Sequence, residues 1–483
     1  MMFTSYSFLF FFIAVFLLYW FVFKNSNKWQ NIILLIASYY FYGVAEWRML
    51  PLLIITTIVF FFLAKGIGKT ENEKKASILT TIGVVIGAGI LLYFKYFGFF
   101  IESFSSFLTS IGLHTNWHSF KILMPLGVSY FTFKLISYVI EVHRGKMNPC
   151  DDFIVFANYV AFFPTIMAGP IDRPNNFIPQ FYKKRQFDQG CAIDGVQQIL
   201  WGLFKKIAIA DNLGMYVDSI LGNVESSSGS SIVFALTMYT FQMYADFSGY
   251  SDMAIGVGKL LGIKVQKNFN YPFFATNIAE FWRRWHISLT GWLTDYVFIP
   301  LNVKFRDLGK IGIMLAIIIN MILVGMWHGA NWTYAIFGLY QGLLFIPIIF
   351  WGNMSKRPKL KTTRFGLPCF HDIIKMLGIF LLYTIGTILF RAENLSQSLL
   401  FLEKMITNIN ETPIIPGVRW LVTSLFTILL MLCIEWKQRT REFGLQFDND
   451  SNLLKILMID YFIIMVLFVF GNFGANQFIY FQF

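Results

Sequence analysis

The sequence predicts an all-α protein that crosses a membrane many times. Of its 483 residues, 56% are hydrophobic, and a soluble protein cannot bury that much apolar surface. The apolar residues also recur in runs that are long enough to cross a bilayer. Inside lipid, helices satisfy their own backbone hydrogen bonds. We therefore expect a polytopic membrane protein with about 11 to 13 membrane segments, some of them re-entrant.

The predicted segments fall into two groups. Runs typical of spanning helices cover 5–23, 78–94, 122–140, 331–350, 373–390, 418–434 and 456–471. Shorter runs, or runs broken by Gly or Pro, cover 31–45, 50–64, 153–168, 196–210, 232–245 and 311–326. The polar stretches between them have the length of connecting loops. We therefore expect one membrane domain over residues 1–483, with 478–483 as a C-terminal tail.

The charges of the loops predict an orientation. The basic residues cluster in loops, as the positive-inside rule describes for the cytoplasmic side of a membrane. This rule places the loops at 65–75, 352–375 and 437–443 inside, and it places the N-terminus and the C-terminus outside. The run 153–168 has basic residues on both flanks. It is therefore better explained as a re-entrant or interfacial segment than as a full crossing.

The net charge and the cysteine positions argue against a nucleic-acid partner and against a disulfide framework or metal site. The net charge of +12 is explained by cytoplasmic loops, so we expect no nucleic-acid partner. The four cysteines lie at scattered positions and form no C-x-x-C pair. Neither a disulfide framework nor a metal site is therefore implied.

The stretch FWRRWHISLTGWLTDYVFIPL at 281–301 combines aromatic side chains with Arg283, Arg284, His286 and Asp295. Two interpretations of its arginines are open. An interfacial amphipathic helix would hold aromatic rings at the headgroup level and arginines on lipid phosphates. Alternatively, Arg283 and Arg284 line a cationic cytoplasmic mouth for a phosphorylated cosubstrate, because guanidinium groups match phosphate oxygens.

The stretch GMWHGANWTYAIFGLYQG at 325–342 places His328 at a Gly-flanked break between two apolar runs. A histidine at membrane depth is costly, which favours a functional role over a histidine satisfied by a backbone carbonyl. Imidazole is a natural general base for a hydroxyl or thiol reaction. If the segment is helical, His328 and Asn331 share a face.

Other polar residues within apolar regions are more typical of buried pairs or helix caps than of catalytic groups. They are Lys134, Asp211, Asp246, Asp252, Glu280 and Arg391.

These stretches resemble the two signature regions of the membrane-bound O-acyltransferase (MBOAT) family. Further motifs are similar to those of its bacterial alginate and peptidoglycan O-acetyltransferase branch, over the chain from about residue 30 onward. They are MPLGVSYFTFKLISYVIEVHRG (124–145), FFPTIMAGPIDRPNNFIPQF (162–181), GLFKKIAIADNL (202–213), YADFSGYSDMAIG (244–256) and FRAENL (390–395).

The resemblance implies a fold and a set of roles. The expected fold is a ring of tilted helices around a tunnel, which acetyl-CoA enters from the cytoplasm and the acyl acceptor from the other side. His328 corresponds to the family histidine, and His286 to the second family position. A thioester carbonyl needs an activated nucleophile and an oxyanion donor. Trp327, Asn331 or a backbone N–H are candidates for the donor, and Asp295 and Asp246 are taken as supporting residues.

The C-terminal FIYFQF resembles the F-x-Y-x-x-F motif of relatives in this branch and of a small partner protein in teichoic-acid D-alanylation. Phe478, Tyr480 and Phe483 fit this motif. In those systems the tyrosine is proposed to carry the acyl group as an ester. A phenol suits such a relay, because imidazole can activate it and its ester is itself reactive. The alternative is that the aromatic residues anchor the tail at the outer interface.

The expected function is transfer of acetyl groups from cytoplasmic acetyl-CoA across the bacterial inner membrane. An extracytoplasmic O-acetyltransferase partner would then acetylate an envelope polysaccharide. We place peptidoglycan ahead of an alginate-like polysaccharide, although the sequence holds no substrate signal. A secondary transporter without acyl transfer is the alternative from another class, but no inverted repeat is evident. A lipid acyltransferase is disfavoured by the branch that the motifs resemble.

Overall fold

The computed structural model describes residues 1–113, 123–352, 354, 360–447, 453–474 and 478–479. Over these residues the protein is helical, and the β structure consists of one isolated bridge between Thr362 and Pro368. The prediction of an all-α fold is confirmed. Two predicted site residues, Tyr480 and Phe483, lie outside the described residues.

The α-helices follow one another through short turns and loops. In chain order they are α1 (Tyr6–Leu17), α2 (Asn27–Glu46), α3 (Leu50–Lys69), α4 (Glu73–Leu91), α5 (Phe97–Ser110), α6 (Val128–His143), α7 (Phe153–Ala161), α8 (Pro174–Tyr182), α9 (Gln189–Leu203), α10 (Asp211–Leu221), α11 (Gly229–Leu260), α12 (Ile278–Trp282), α13 (Ile287–Leu293), α14 (Ile299–Lys304), α15 (Gly309–His328), α16 (Trp332–Leu343), α17 (Ile346–Phe350), α18 (Phe370–Arg391), α19 (Leu395–Thr407), α20 (Val418–Lys437) and α21 (Leu453–Phe470). Shorter π-helical segments cover Leu18–Val22, Leu92–Tyr96, Phe204–Ala210 and Thr294–Phe298.

Several helical stretches are long and apolar enough to cross a bilayer. Within the described residues there are 6, namely Asn27–Lys69, Glu73–Ser110, Arg306–His328, Trp332–Phe350, Phe370–Arg391 and Val418–Lys437. By contrast, α7 has 9 residues and is about 14 Å long, roughly half of the hydrocarbon core. Its length agrees with the re-entrant segment expected at 153–168. The protein is therefore a multi-pass membrane protein.

The first compact unit comprises Met1–Val196 and Ala254–Gln266. Its helices α4 and α6 pack closely because glycines on α4 face bulky residues on α6. A Cβ at Gly87 would lie 2.6 Å from Ile136, and one at Gly83 would lie 3.2 Å from Val139. Small residues allow such close packing in membranes, where helix association depends on van der Waals contact.

The second compact unit comprises Gln197–Met253 and Lys267–Phe483, and it contains every predicted site residue that the structure describes. Helices α15 and α16 form a tight hairpin in this unit. A Cβ at Gly325 would lie 2.0 Å from the carbonyl oxygen of Tyr334, and one at Gly338 would lie 2.3 Å from that of Met321. The two backbones are thus almost in contact, and the turn of the hairpin begins at His328.

Candidate functional site

His328 is the last residue of α15, and it is buried with 5% of its surface exposed. The chain then becomes extended at Gly329, where a Cβ would lie 2.1 Å from the Tyr334 ring. The break expected at this histidine is therefore present. The helical spacing considered for His328 and Asn331 is absent, because α15 ends at His328. Asn331 instead caps α16 by accepting a hydrogen bond from the Thr333 backbone N–H at 3.0 Å.

His286 lies at the start of α13 in a left-handed conformation, with φ of 45°. Few residues other than glycine adopt this conformation, and strained positions of this kind cluster at functional sites. The turn here separates Ile278–Trp282 from a helical stretch that runs without a break over 287–304. A single amphipathic helix over the whole of 281–301 therefore does not form. The backbone N–H of Ile287, which donates to the Asn268 carbonyl at 2.8 Å, stabilises the turn.

The side chain of Asn268 fixes the orientation of the His286 ring. Nδ1 of His286 lies 3.0 Å from Asn268 Oδ1, which also accepts a hydrogen bond from the Ser288 hydroxyl at 2.9 Å. An amide oxygen can only accept, so Nδ1 carries the proton of the neutral ring. Nε2 is then the nitrogen with the lone pair. His286 lies outside the membrane-spanning helices, and burial lowers its pKa to about 3, which keeps the ring neutral at physiological pH.

The two histidines meet in the fold. Their ring centroids are 6.2 Å apart, and the indole of Trp327 contacts both, at 5.4 Å from His286 and 5.1 Å from His328. All three side chains are buried. Phe247 packs edge-on against His286 at 4.7 Å. The two signature stretches therefore form one aromatic, water-poor site, in which a neutral imidazole can exchange protons with a bound hydroxyl or thiol.

A cavity of about 380 Å³ adjoins this site. Phe390 connects the two, because its ring lines the cavity and lies 5.0 Å from the His328 ring. The wall is largely polar, and it consists of Lys206, Ala210, Asp211, Gly214, Met215, Asp218, Tyr239, Gln242, Asp246, Asn331, Tyr334, Phe390, Arg391, Ala392, Glu393 and Ile479. A cavity with this lining suits a hydroxyl-bearing group better than an acyl chain.

Two residues of the cavity wall have a buried polar atom without a hydrogen-bond partner among the described residues. The hydroxyl of Tyr239 and Oε1 of Gln242 are shielded from solvent, and they have no hydrogen-bond partner among the described residues. Buried polar atoms are normally paired, and those left over often face a ligand or water. These two groups are therefore candidates for binding a polar substrate group in the cavity.

Ion pairs surround the cavity, as expected for the internal charged residues. Arg391 pairs with Asp218 at 3.1 Å, and Lys206 pairs with Asp211 at 2.8 Å and with Asp246 at 2.7 Å. Elsewhere in the same unit, Lys205 pairs with Asp252. Asp246 is thus brought to the cavity, but its carboxylate is engaged in an ion pair.

The start of the C-terminal tail reaches the same wall. Ile479 lines the cavity, and its backbone N–H donates to Oδ2 of Asp246 at 2.6 Å. Phe478 is buried and packs against Tyr250 with ring centroids 4.8 Å apart. The described part of the tail therefore ends at the cavity that adjoins His328.

Three predicted site residues are brought neither to the histidine pair nor to the cavity wall. Arg284 donates to Glu280 at 2.6 Å and to the backbone carbonyls of Asn270 and Tyr271 at 3.4 Å. Arg283 is exposed and donates to the backbone carbonyl of Met354 at 3.0 Å. Asp295 is exposed within the π-helical segment Thr294–Phe298.

Several residues of the site escaped the sequence interpretation. Asn268 contacts His286 only through the tertiary fold, and no local pattern marks it. Phe390 begins the motif at 390–395, but nothing in that motif indicates its contact with His328. Lys206 had a usable signal, since a lysine within the apolar run 196–210 needs a nearby carboxylate. Tyr239 and Gln242 lie one turn apart on α11, and nothing in their spacing distinguishes them from other membrane-helix residues.

Comparison with known proteins agrees with this architecture. The membrane-bound O-acyltransferase family model matches residues 151–390, which include both histidines. A probable alginate O-acetylase of Pseudomonas syringae pv. tomato is 37% identical over 398 residues, covering 82% of this chain and 73% of that protein. A peptidoglycan O-acetyltransferase of Helicobacter pylori is 30% identical over 444 residues, covering 84% and 80%. A teichoic acid D-alanyltransferase of Bacillus subtilis is 32% identical over 282 residues, covering 54% and 67%.

The family match spans the hairpin of α15 and α16 and the turn at His286, so it covers the segments that build the buried site. The first two relatives extend the similarity over most of the chain. The chain therefore belongs to the membrane-bound O-acyltransferase family, and it is a multi-pass membrane acyltransferase.

Proposed function

We propose that this protein transfers acetyl groups from cytoplasmic acetyl-CoA to the outer face of the bacterial inner membrane. There, an extracytoplasmic partner uses them to O-acetylate an envelope polysaccharide. The observation that carries the proposal is the pair of buried imidazoles 6.2 Å apart beside a polar cavity that the C-terminal tail reaches. The positive-inside rule, applied to the basic loops, favours both chain termini outside. On this proposal the tail lies opposite the side from which the donor enters.

The chemistry needs a base and a donor to the developing oxyanion. His328 takes the proton of the attacking hydroxyl as its oxygen bonds to the thioester carbonyl, and the proton then passes to the departing CoA sulfur. Nδ2 of Asn331 donates one of its two hydrogens to the Glu393 carbonyl, and Oδ1 accepts from Thr333. The amide keeps a second N–H, so Trp327, Asn331 and a backbone N–H all stay candidates for the oxyanion donor.

Tyr480 is the proposed first acceptor. It follows Ile479, which lines the cavity, and consecutive Cα atoms are about 3.8 Å apart. Attack by the phenol oxygen forms a tyrosyl acetate and releases CoA with the phenol proton. A hydroxyl of the partner protein then attacks the ester, and Tyr480 regains its proton. Aromatic anchoring of the tail by Phe478 and Phe483 is compatible with this role.

Two polysaccharides, peptidoglycan and an alginate-like polymer, are candidates for the final acceptor. Relatives named for alginate and for peptidoglycan are both similar to this chain, so the polysaccharide is to be identified by experiment. Acetyl groups on muropeptides that disappear on loss of the protein would identify peptidoglycan. Acetyl groups that disappear from a secreted polysaccharide would identify an alginate-like polymer.

The decisive experiment uses the full-length protein with acetyl-labelled acetyl-CoA. We expect His328→Ala to abolish CoA release and acyl transfer, while its elution profile and melting temperature stay close to those of the unmodified protein. Near-normal transfer by His328→Ala would refute the assignment of His328. Uptake of label into vesicles without CoA release would instead support a transporter.

A second measurement tests the relay. We expect the mass of the C-terminal peptide to rise by one acetyl group in the unmodified protein and not in Tyr480→Phe, which removes only the phenol oxygen. Full transfer activity in Tyr480→Phe would refute the relay and leave the tail as an interfacial anchor.

A further inference from the structure

Lys206 bridges two carboxylates in the second unit. Its ammonium group lies 2.8 Å from Asp211 and 2.7 Å from Asp246, and all three side chains are buried, with Lys206 only 1% exposed. One cation and two anions leave an excess negative charge. Burying charge in this way costs free energy unless further hydrogen bonds compensate it.

The C-terminal tail supplies that compensation. The two oxygens of Asp246 are used separately, since Oδ1 accepts from the Lys206 ammonium and Oδ2 accepts from the backbone N–H of Ile479 at 2.6 Å. The Phe478 ring lies 4.3 Å from the same ammonium, within range of a cation–π interaction. Two successive tail residues therefore contact one buried ion cluster, one through its ring and one through its backbone.

From these contacts we propose that Lys206, Asp211 and Asp246 form an anchor that holds the tail and sets the position of Tyr480. In this role they are positioning residues, and they do not touch the reacting atoms. The inference rests on the proposed function for Tyr480, but the anchor itself can be measured without it.

The geometry distinguishes an anchor from a plain structural ion pair. Asp211 alone would neutralise Lys206, so pairing does not require the second carboxylate. The oxygen of Asp246 that faces away from Lys206 binds the backbone of the residue before Tyr480. A bond to the backbone fixes the course of the chain whatever side chain stands at 479. Hydrogen bonds to charged groups are also among the stronger ones, so this bond can hold Ile479 against the cavity wall.

The first test measures the anchor by hydrogen exchange at the tail amides of the full-length protein. We expect Asp246→Ala to speed exchange in the peptide that contains residues 478–483 at least about tenfold, with α15 and α16 unchanged. Unchanged tail exchange in Asp246→Ala would overturn the anchor. If the tail is released and Tyr480→Phe nevertheless stays fully active, the anchor stands and the relay alone fails.

The second test isolates the N–H that Asp246 binds. Ile479→Pro removes this donor, whereas Ile479→Val keeps it with a similar side chain. We expect the rate of Tyr480 acetylation to be at least about tenfold lower in the proline variant than in the valine variant, with the KM for acetyl-CoA within about twofold. Combining Ile479→Pro with Asp246→Ala should add little further loss, since both remove one interaction. Equal acetylation rates in the two Ile479 variants, or fully additive losses, would overturn the positioning role.

Discussion

The tight hairpin of α15 and α16 makes Gly338→Ala a sharp test of how His328 is positioned. The added Cβ would lie 2.3 Å from the carbonyl oxygen of Met321 and 2.6 Å from the Cα of Ile322. Both neighbours are backbone atoms, so no side-chain rotation relieves the clash. The helices must separate by about 1 Å to restore normal contact. Met321 precedes His328 by about two turns, or roughly 10 Å along α15.

The size of the effect follows from this displacement. Overpacking of this kind destabilises a fold by about 1–3 kcal/mol. A shift of about 1 Å in a catalytic group reduces the rate by about 10²-fold. Because His328 is some distance from the clash, we expect acetyl transfer to fall by between about tenfold and a hundredfold.

The assay compares Gly338→Ala with Gly378→Ala, a glycine on α18 whose added Cβ would meet nothing within 4 Å. Initial rates of CoA release and melting temperatures in detergent are measured for both. We expect Gly378→Ala to match the unmodified protein or to melt slightly higher, since alanine favours helix more than glycine does. If Gly338→Ala transfers acetyl groups and melts like Gly378→Ala, the hairpin does not position His328 in the way argued here.

Three further predictions concern Asn268, His286 and the pair Arg283 and Arg284. Asn268→Leu should reduce initial rates by at least about tenfold, because His286 loses the acceptor that fixes its tautomer; unchanged rates would contradict this. Because burial lowers the pKa of His286 to about 3 from 6.5, protonation favours the unfolded state below pH 6.5. The free energy of unfolding should fall by up to about 2 kcal/mol between pH 6.5 and 5. This pH dependence should be absent in His286→Gln and present in the control His371→Gln, which changes an exposed histidine. A flat stability profile of the unmodified protein would refute the argument. Arg283→Met should raise the KM for acetyl-CoA with little effect on melting, and an unaltered KM would remove Arg283 from the donor site. Arg284→Met should lower stability by about 1–2 kcal/mol, because the buried Glu280 loses its cationic partner.

The sequence pattern was sufficient for features that depend on local chemistry. The apolar runs predicted the helices, and the glycine after His328 predicted a break where α15 ends. Charged residues within apolar runs predicted buried pairs, which the structure forms at Asp211 and Asp246. Arg391 pairs instead with Asp218, whose side chain is exposed.

Features that depend on distant contacts could not be predicted in this way. The amphipathic appearance of 281–301 suggested one helix, but hydrogen bonds from His286 and Ile287 to Asn268 stabilise a left-handed turn at His286 that divides it. Nothing local indicates that Asn268 lies beside that turn, or that Phe390 joins the cavity to His328. The shared helical face considered for His328 and Asn331 does not apply, because its condition, a helix through both residues, is not met: α15 ends at His328.

The charged wall of the cavity has a consequence for which molecules can enter it. Asp211, Asp218, Asp246 and Glu393 outnumber Lys206 and Arg391, so the lining carries a formal charge of −2 by the difference of four acids and two bases. Two like charges about 5 Å apart repel by about 3 kcal/mol at an effective dielectric constant of 20. We therefore expect this wall to disfavour a uronate sugar relative to an uncharged phenol or serine hydroxyl. Because Asp218 and Glu393 are exposed, salt should weaken that preference.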